Sequence, residues 1–135
     1  MELKGEVLVD GAAEGLLLHL GEPLSFWGGV DPMTGRITDP RHPQHGLIIG
    51  GRVLALATRG SSSSSSVLLE LLARNCAPAA ILLAERDAIL ALGVIVAREM
   101  GYATIPVLEL GAAAIAARPE TRLRIAPGGG ISAAA

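Results

Sequence analysis

The apolar residues of this chain recur with two different periods, and the switches between them mark its elements. Residues 2–9 partly alternate. Leu3 and Val7 are apolar, Lys4 and Glu6 are polar, and Gly5 is a candidate bulge, which predicts a half-buried strand. Asp10-Gly11 reads as a turn. Residues 15–20 predict a second short strand, with a helix as the rival reading because Ala12-Ala13-Glu14 favours one. Ile48, Ile49, Val53, Leu54 and Leu56, interrupted by Gly50-Gly51-Arg52, predict a short hairpin or bulge and then a central strand over 52–58. The period then lengthens. Val67, Leu68, Leu71 and Leu72 share one face of a helix over 67–74, which Asn75 caps in a left-handed conformation. Residues 79–83 are continuously apolar and suit a strand buried on both faces. Asp87 caps a second helix over 88–100, ended by Gly101. That helix is apolar almost all round, so it is expected to be largely covered, a partner being one source of cover.

Residues 103–106 read as the next strand. Residues 52–106 thus read strand-helix-strand-helix-strand, the pattern of right-handed crossovers in a parallel sheet and an α/β fold. Residues 108–117 read as a short helix or turn and residues 121–126 as a last strand. A domain over 1–127 is expected, with 128–135 as a frayed tail.

Residues 21–46 follow neither period. Pro23, Gly28-Gly29, Asp31-Pro32, Gly35, Asp39-Pro40, Pro43 and Gly46 give turn signals at nearly every step, and only Arg36-Ile37-Thr38 could pair as a strand. Segments of this length without periodicity are binding loops, lids or disorder. Phe26 and Trp27 can anchor the loop to the body or to a partner, which argues against disorder.

Composition narrows the picture. The chain has 135 residues, half of them hydrophobic, enough for one compact domain. The net charge of -2 and the absence of a Lys/Arg cluster speak against nucleic acid as a partner. Cys76 is the single cysteine, so neither an internal disulfide nor a Cys-rich metal cage can form. The amino terminus lacks the order of a signal peptide. The longest apolar run, 88–97, is far short of the ~20 residues that span a bilayer. A cytoplasmic protein with no membrane partner is expected.

The candidate chemistry lies in Thr58-Arg59-Gly60 and the six serines that follow, Ser61 to Ser66. A helix that begins within the serines presents unpaired backbone N–H groups and the positive end of its dipole. Backbone amides and serine hydroxyls would then converge on one anion site that needs neither metal nor lysine, with Gly60, Ser62 and Ser63 as candidate substrate-binding residues. Arg59 could add a bidentate donor for a carboxylate or phosphate. With such donors a serine could act as a base toward a proton beside a carboxylate, and Ser61, directly after the flexible Gly60, is the first candidate. A low-complexity linker and a plain helix cap without ligand stay open as readings. The Gly-x-Ser-x-Gly elbow of a Ser-His-Asp hydrolase is absent, and no lysine follows the glycine as in a Walker loop.

His42 and His45, with Asp39, could in principle ligate a metal. Pro43 stiffens the gap between them and no helix aligns them, so no metal site is assigned in this chain. Loop-fixing hydrogen bonds, or contact with substrate or partner, fit the two histidines better. His19 and Cys76 read as structural, Asp31 and Asp39 as turn formers.

Three stretches together are specific. They are Gly21-Glu22-Pro23-Leu24-Ser25-Phe26-Trp27-Gly28-Gly29-Val30-Asp31-Pro32, with Asp39-Pro40-Arg41-His42-Pro43 and His45-Gly46; Arg59-Gly60-Ser61-Ser62-Ser63-Ser64-Ser65; and Asn75-Cys76-Ala77-Pro78-Ala79-Ala80-Ile81. They resemble the small-subunit, or swivel, domain of the aconitase X family, and the resemblance covers most of residues 1–106. It implies a swivelling β/β/α domain facing a separate large subunit or a fused large domain. It implies dehydration of a small hydroxy acid, with Ser61 as general base and Ser62 holding substrate oxygens. It also implies that an iron-sulfur cluster or metal ion is held by the large subunit, with which the single Cys76 agrees. Family activities include cis-3-hydroxy-L-proline dehydratase, giving 1-pyrroline-2-carboxylate, and mevalonate 5-phosphate dehydratase. The first is the preferred expectation. The alternative from another class is a non-catalytic anion-binding swivel module.

Overall fold

A computed structural model describes residues 3–60, 62–111 and 120–134. Eight strands form one sheet in the order β1-β8-β7-β3-β4-β5-β6-β2. The two edge strands, β1 (Leu3–Lys4) and β2 (Glu6–Val9), are separated in sequence by Gly5 alone. One run of chain therefore pairs with both edges, β1 with β8 (Gly130–Ala133) and β2 with β6 (Val107–Glu109), and the sheet closes into a barrel. Gly5 N–H donates to the Gly129 carbonyl oxygen at 2.8 Å across the seam. A Cβ on Gly129, whose φ is +94°, would collide with the Gly5 carbonyl oxygen, so the seam requires glycine there.

β3 (Ala13–His19) joins the two halves. Its first residues pair antiparallel with β7 (Arg122–Ala126), its last run parallel with β4 (Val53–Leu56). β4, β5 (Ala80–Leu83) and β6 are parallel neighbours. Helices α2 (Ser64–Ala73) and α3 (Ala88–Glu99) make the crossovers between them and pack on each other. Alternation along the strands sorts the core into two layers. Val53, Ala55, Ala80, Leu82 and Leu108 join Leu17, Leu123, Ile125 and Ile131 in one. Leu54, Leu56, Ile81, Leu83 and Val107 meet Leu68, Leu71, Leu90 and Val94 of the helices in the other.

The strand-helix-strand-helix-strand reading thus holds, with three shifts. α2 starts at Ser64, inside the serine run, three residues before the apolar face. Residues 103–106 are not a strand. β6 begins after Pro106, whose carbonyl accepts from Ile81 N–H at 3.0 Å but which has no N–H to give a ladder. The tail from 128 is not frayed as far as it is described. Gly128 and Gly129, both at positive φ, turn the chain into β8, and Ile131 is buried in the core. Of the reading of residues 108–117 as a short helix or turn, Leu108 and Glu109 instead complete β6, paired with β5 and β2, and residues 112–117 lie outside the described residues.

The loop over 21–50 folds back on the body. Phe26 anchors it and is buried, whereas Trp27 beside it is 62% exposed. A short turn, α1 (Phe26–Gly29), and the bridges Val30↔Ile37 and Arg36↔Ile48 give it internal structure. Its start is stitched to the strand that leads into the serines: Leu24 bridges Thr58, and Arg59 N–H donates to the Leu24 carbonyl at 3.1 Å.

Candidate functional site

The turn after β4 lies at the carboxyl end of parallel strands, where α/β sheets place ligands. Ser61, the predicted base, lies outside the described residues. Its neighbours are described. Ser62 is exposed, Ser63 is half-buried and Ser64, the first helical residue, is buried. The helix therefore opens within the serines, as the sequence predicts.

Two openings flank this turn. One is a polar cleft of about 190 Å³ lined by Glu22, Pro23, Asp39, Arg41, His42 and Arg59. The stitching of Leu24 to Thr58 and Arg59 brings the 21–50 loop to Arg59. Asp39 accepts the Arg41 backbone N–H at 2.9 Å and lies 3.8 Å from Arg41 Nε, a loose pair whose Arg41 side chain is almost wholly exposed. Among the described residues the Arg59 guanidinium makes no ion pair. Two guanidiniums and two carboxylates thus share the cleft, and Arg59 is free to take an anion.

The other opening, about 430 Å³, is lined by Thr58, Gly60, Glu85, Arg86, Asp87, Ala88 and Ile89. Two of its lining residues form a buckle. Thr58 Oγ1 donates to Asp87 Oδ2 at 2.6 Å, while Asp87 Oδ1 accepts the Leu90 N–H at 2.9 Å. One carboxylate therefore caps α3 and ties down the stem of the serine turn. The cap is legible in the sequence, but the tie to Thr58 has no local signal.

The two histidines part company. His42 is buried and lines the cleft. Its Nδ1 accepts the Gln44 N–H at 3.0 Å, which leaves the ring proton on Nε2 to donate to the Glu22 carbonyl at 3.0 Å. Both ring nitrogens are thereby engaged in holding the loop. His45 is exposed and does not line the cleft. Its backbone N–H donates to the His42 carbonyl. Glu22, Asp39 and Arg41 enter the site through the folding of the loop, and spacing in the sequence does not announce them. A larger cavity, about 460 Å³, lies at the seam beside Leu3, Lys4 and Pro127, and among the described residues Lys4 is its one ionisable lining residue.

The donor set does not fit an iron-sulfur cluster. Cys76 is the chain's one thiol, and its Sγ lies 3.5 Å from the Arg74 and 3.7 Å from the Met33 carbonyl oxygen. Among the described residues no group of three His, Cys, Asp or Glu side chains could hold a metal ion. Among them, too, no helix is long and apolar enough to cross a membrane.

Comparison with known proteins gives one consistent result. The family profile described as the aconitase X swivel domain matches residues 2–130. The chain is 52% identical over 105 residues to a cis-3-hydroxy-L-proline dehydratase of Pseudomonas aeruginosa, a match covering 77% of this chain and 18% of that protein. It is 46% identical over 98 residues to the phosphomevalonate dehydratase small subunit of Pyrococcus furiosus, covering 72% of this chain and 73% of that one. The chain thus spans less than a fifth of the first relative's length and most of the second's. The crystal structure of Thermococcus kodakaraensis aconitase X in its holo-form superposes with a TM-score of 0.86 at 32% identity, over 100% of this chain and 99% of that chain.

Proposed function

This chain belongs to the aconitase X swivel-domain family, and we propose that it is the base-bearing part of a dehydratase for a small hydroxy acid, completed by a large subunit. The observation that carries the reading is the Arg59 guanidinium, without an ion pair among the described residues, in a cleft beside a helix that opens within serines. On this reading the substrate carboxylate takes the Arg59 fork and the amides of Gly60, Ser62 and Ser63. Ser61, held as an alkoxide by the same donors, removes the proton on the carbon beside the carboxylate. The electron pair forms a carbon–carbon double bond as the C–O bond on the adjacent carbon breaks; the hydroxide released becomes water by taking up one proton, and Ser61 returns to its starting state by giving up the proton it accepted. His42 acts by holding the cleft wall, and His45 lies farther out, as a contact for substrate or partner.

Among the described residues no group of three His, Cys, Asp or Glu side chains could hold a metal ion, and we assign the iron-sulfur cluster or metal ion expected for the family to the large subunit.

The substrate we favour is cis-3-hydroxy-L-proline. Loss of its 3-hydroxyl gives an enamine that tautomerises to 1-pyrroline-2-carboxylate. Two observations support it. Identity is higher to the Pseudomonas dehydratase than to the Pyrococcus subunit. The cleft also mixes Glu22 and Asp39 with Arg41 and Arg59, which suits a zwitterion carrying both an ammonium and a carboxylate. Mevalonate 5-phosphate is the second reading, favoured by the match along most of the Pyrococcus small subunit.

The test is anaerobic reconstitution with the large subunit and iron, offering cis-3-hydroxy-L-proline and mevalonate 5-phosphate side by side. Turnover of the first alone is expected, and turnover of the second alone moves the assignment to phosphomevalonate. Ser61→Ala is expected to abolish turnover with fold and assembly intact; a fully active variant would remove Ser61 from the mechanism. Anion binding without turnover in a loaded, intact complex would make the domain a binding module.

A further inference from the structure

The helix α3 is apolar on both sides, and the fold covers only one. Leu90, Ala91, Gly93, Val94 and Ala97 are buried against α2 and the sheet. On the opposite side Ile89, Leu92, Ile95 and Val96 are 41%, 49%, 42% and 37% exposed, and Met100 continues the row at the helix end. Spacings of three and four residues put Ile89, Leu92, Val96 and Met100 on a single stripe. No charged residue interrupts it between Asp87 and Arg98. A continuous row of large apolar side chains on a monomer's surface marks an interaction site.

We propose that this outer face of α3 is the surface on which the large subunit docks. The proposal rests on the reading above that the domain works with such a subunit. Two observations select this occupant. First, the stripe starts at the site: Ala88 and Ile89 line the 430 Å³ opening together with Thr58 and Gly60 of the serine turn. A polypeptide that closes over that opening passes directly onto Ile89 and Leu92. Second, relatives carry such a polypeptide. The Pseudomonas protein has more than four-fifths of its length outside the match, and the Pyrococcus relative is by name a small subunit. A second copy of this chain would cover the stripe equally well, but it would sit at the same opening and bring only one more thiol.

The platform is also rigid before docking. Gly93 brings α3 so close to α2 that an added Cβ would lie 2.6 Å from the Ser65 carbonyl oxygen, and Asp87 fixes the amino-terminal end of the helix. Little ordering is then lost on association. Docking on α3 also sets the serine turn relative to the partner, because α2 and α3 touch at Ser65.

The experiment titrates the purified chain against the purified large subunit by calorimetry, with sedimentation of each alone and of the mixture. The double variant Leu92→Glu/Ile95→Glu is compared with the wild type and with Leu16→Glu, which changes an exposed apolar residue on β3. The double variant is expected to lose at least a hundredfold in affinity, to keep its thermal unfolding midpoint when isolated, and to regain wild-type kcat at saturating large subunit. Leu16→Glu is expected to bind as the wild type does. Wild-type affinity in the double variant overturns the docking surface and leaves the dehydratase reading standing. A wild-type chain that does not bind the large subunit overturns both. A homodimer of the chain that the double variant dissolves, with affinity for the large subunit unchanged, assigns the face to self-association instead.

Discussion

Replacing Gly93 by alanine tests the packing that holds the serine turn in place. At the crossing of α2 and α3, the new Cβ would stand 2.6 Å from the Ser65 carbonyl oxygen and 3.1 Å from its Cα. Ordinary contact begins near 3.4 Å, so the first turn of α2 must retreat by about 0.8 Å. The atoms it meets are backbone, so no rotamer change relieves the clash. Two effects compete in the stability. Alanine is favoured over glycine inside a helix by about 1 kcal/mol. Overpacking a filled contact costs about 1–3 kcal/mol. Overpacking wins, and a net loss of up to roughly 2 kcal/mol lowers Tm by several degrees. The effect on rate is larger. The displaced turn directly follows Ser62 and Ser63 in the chain, and a misplacement near 1 Å costs about a hundredfold in a positioned reaction. The assay pairs thermal unfolding of the chain with turnover of the reconstituted enzyme at saturating substrate. A raised Tm with unchanged kcat would mean that helix propensity governs this position, and the packing argument would fail.

Three further perturbations address the supports of the site. Thr58→Val removes the 2.6 Å hydrogen bond to Asp87 with little change of shape. It is expected to cost about 1.5–3 kcal/mol in urea unfolding, with Thr58→Ser restoring most of it; equal stability of all three proteins would dismiss the buckle. His42→Ala leaves the Glu22 carbonyl and the Gln44 N–H without their partner. Deuterium exchange across 39–47 is expected to quicken, with a stability loss of about 1–3 kcal/mol; unchanged exchange would show that the histidine does not hold the loop. Glu14 accepts side-chain hydrogen bonds from Arg122 and Arg124, which hold its carboxyl below its ordinary value. A lowered folded value gives stability that is present above the ordinary value of 4.5 and lost as pH falls through the folded one. Glu14→Gln is therefore expected to flatten the acid limb of a Tm-against-pH curve, and an identical limb would count against the pair.

The parallel segment was legible because burial imposes a period on it. Val53–Leu56 and Ala80–Leu83 are buried on both faces, so every residue is apolar, and Asp87 announces α3 through its cap. Alternation settles β3 against its helical rival, since the barrel needs alternate residues inward and outward. Closure was not legible. Gly5 looks like a bulge locally and acts as the hinge between both edges of the sheet. Gly128-Gly129 looks like a fraying end, yet its positive φ angles make the turn into β8. Arg59 was found through its place beside the serines. Glu22 and Arg41 were not, because only the folded loop brings them to the same cleft. His42 and His45 read alike in the sequence, yet His42 is buried and fixes the loop through both ring nitrogens whereas His45 is exposed, a difference that only the folded loop creates.

The closed sheet also bears on how the domain joins a partner. An open sheet would offer unpaired edge strands for association, and Gly5 removes them by spending one chain segment on both edges. Association is then left to side chains. The apolar face of α3 and the polar openings beside the serine turn lie at the same end of the parallel strands, tied together by Thr58, Asp87 and the Gly93–Ser65 contact. A barrel that resists deformation carries these features as one body. A rigid-body movement of the domain against a large subunit would therefore bring the turn to the substrate without remaking its donors. This accounts for a chain with a polar cleft, a single thiol and an exposed apolar helix face: the fold supplies positioned polar groups and leaves the remaining chemistry to the surface it meets.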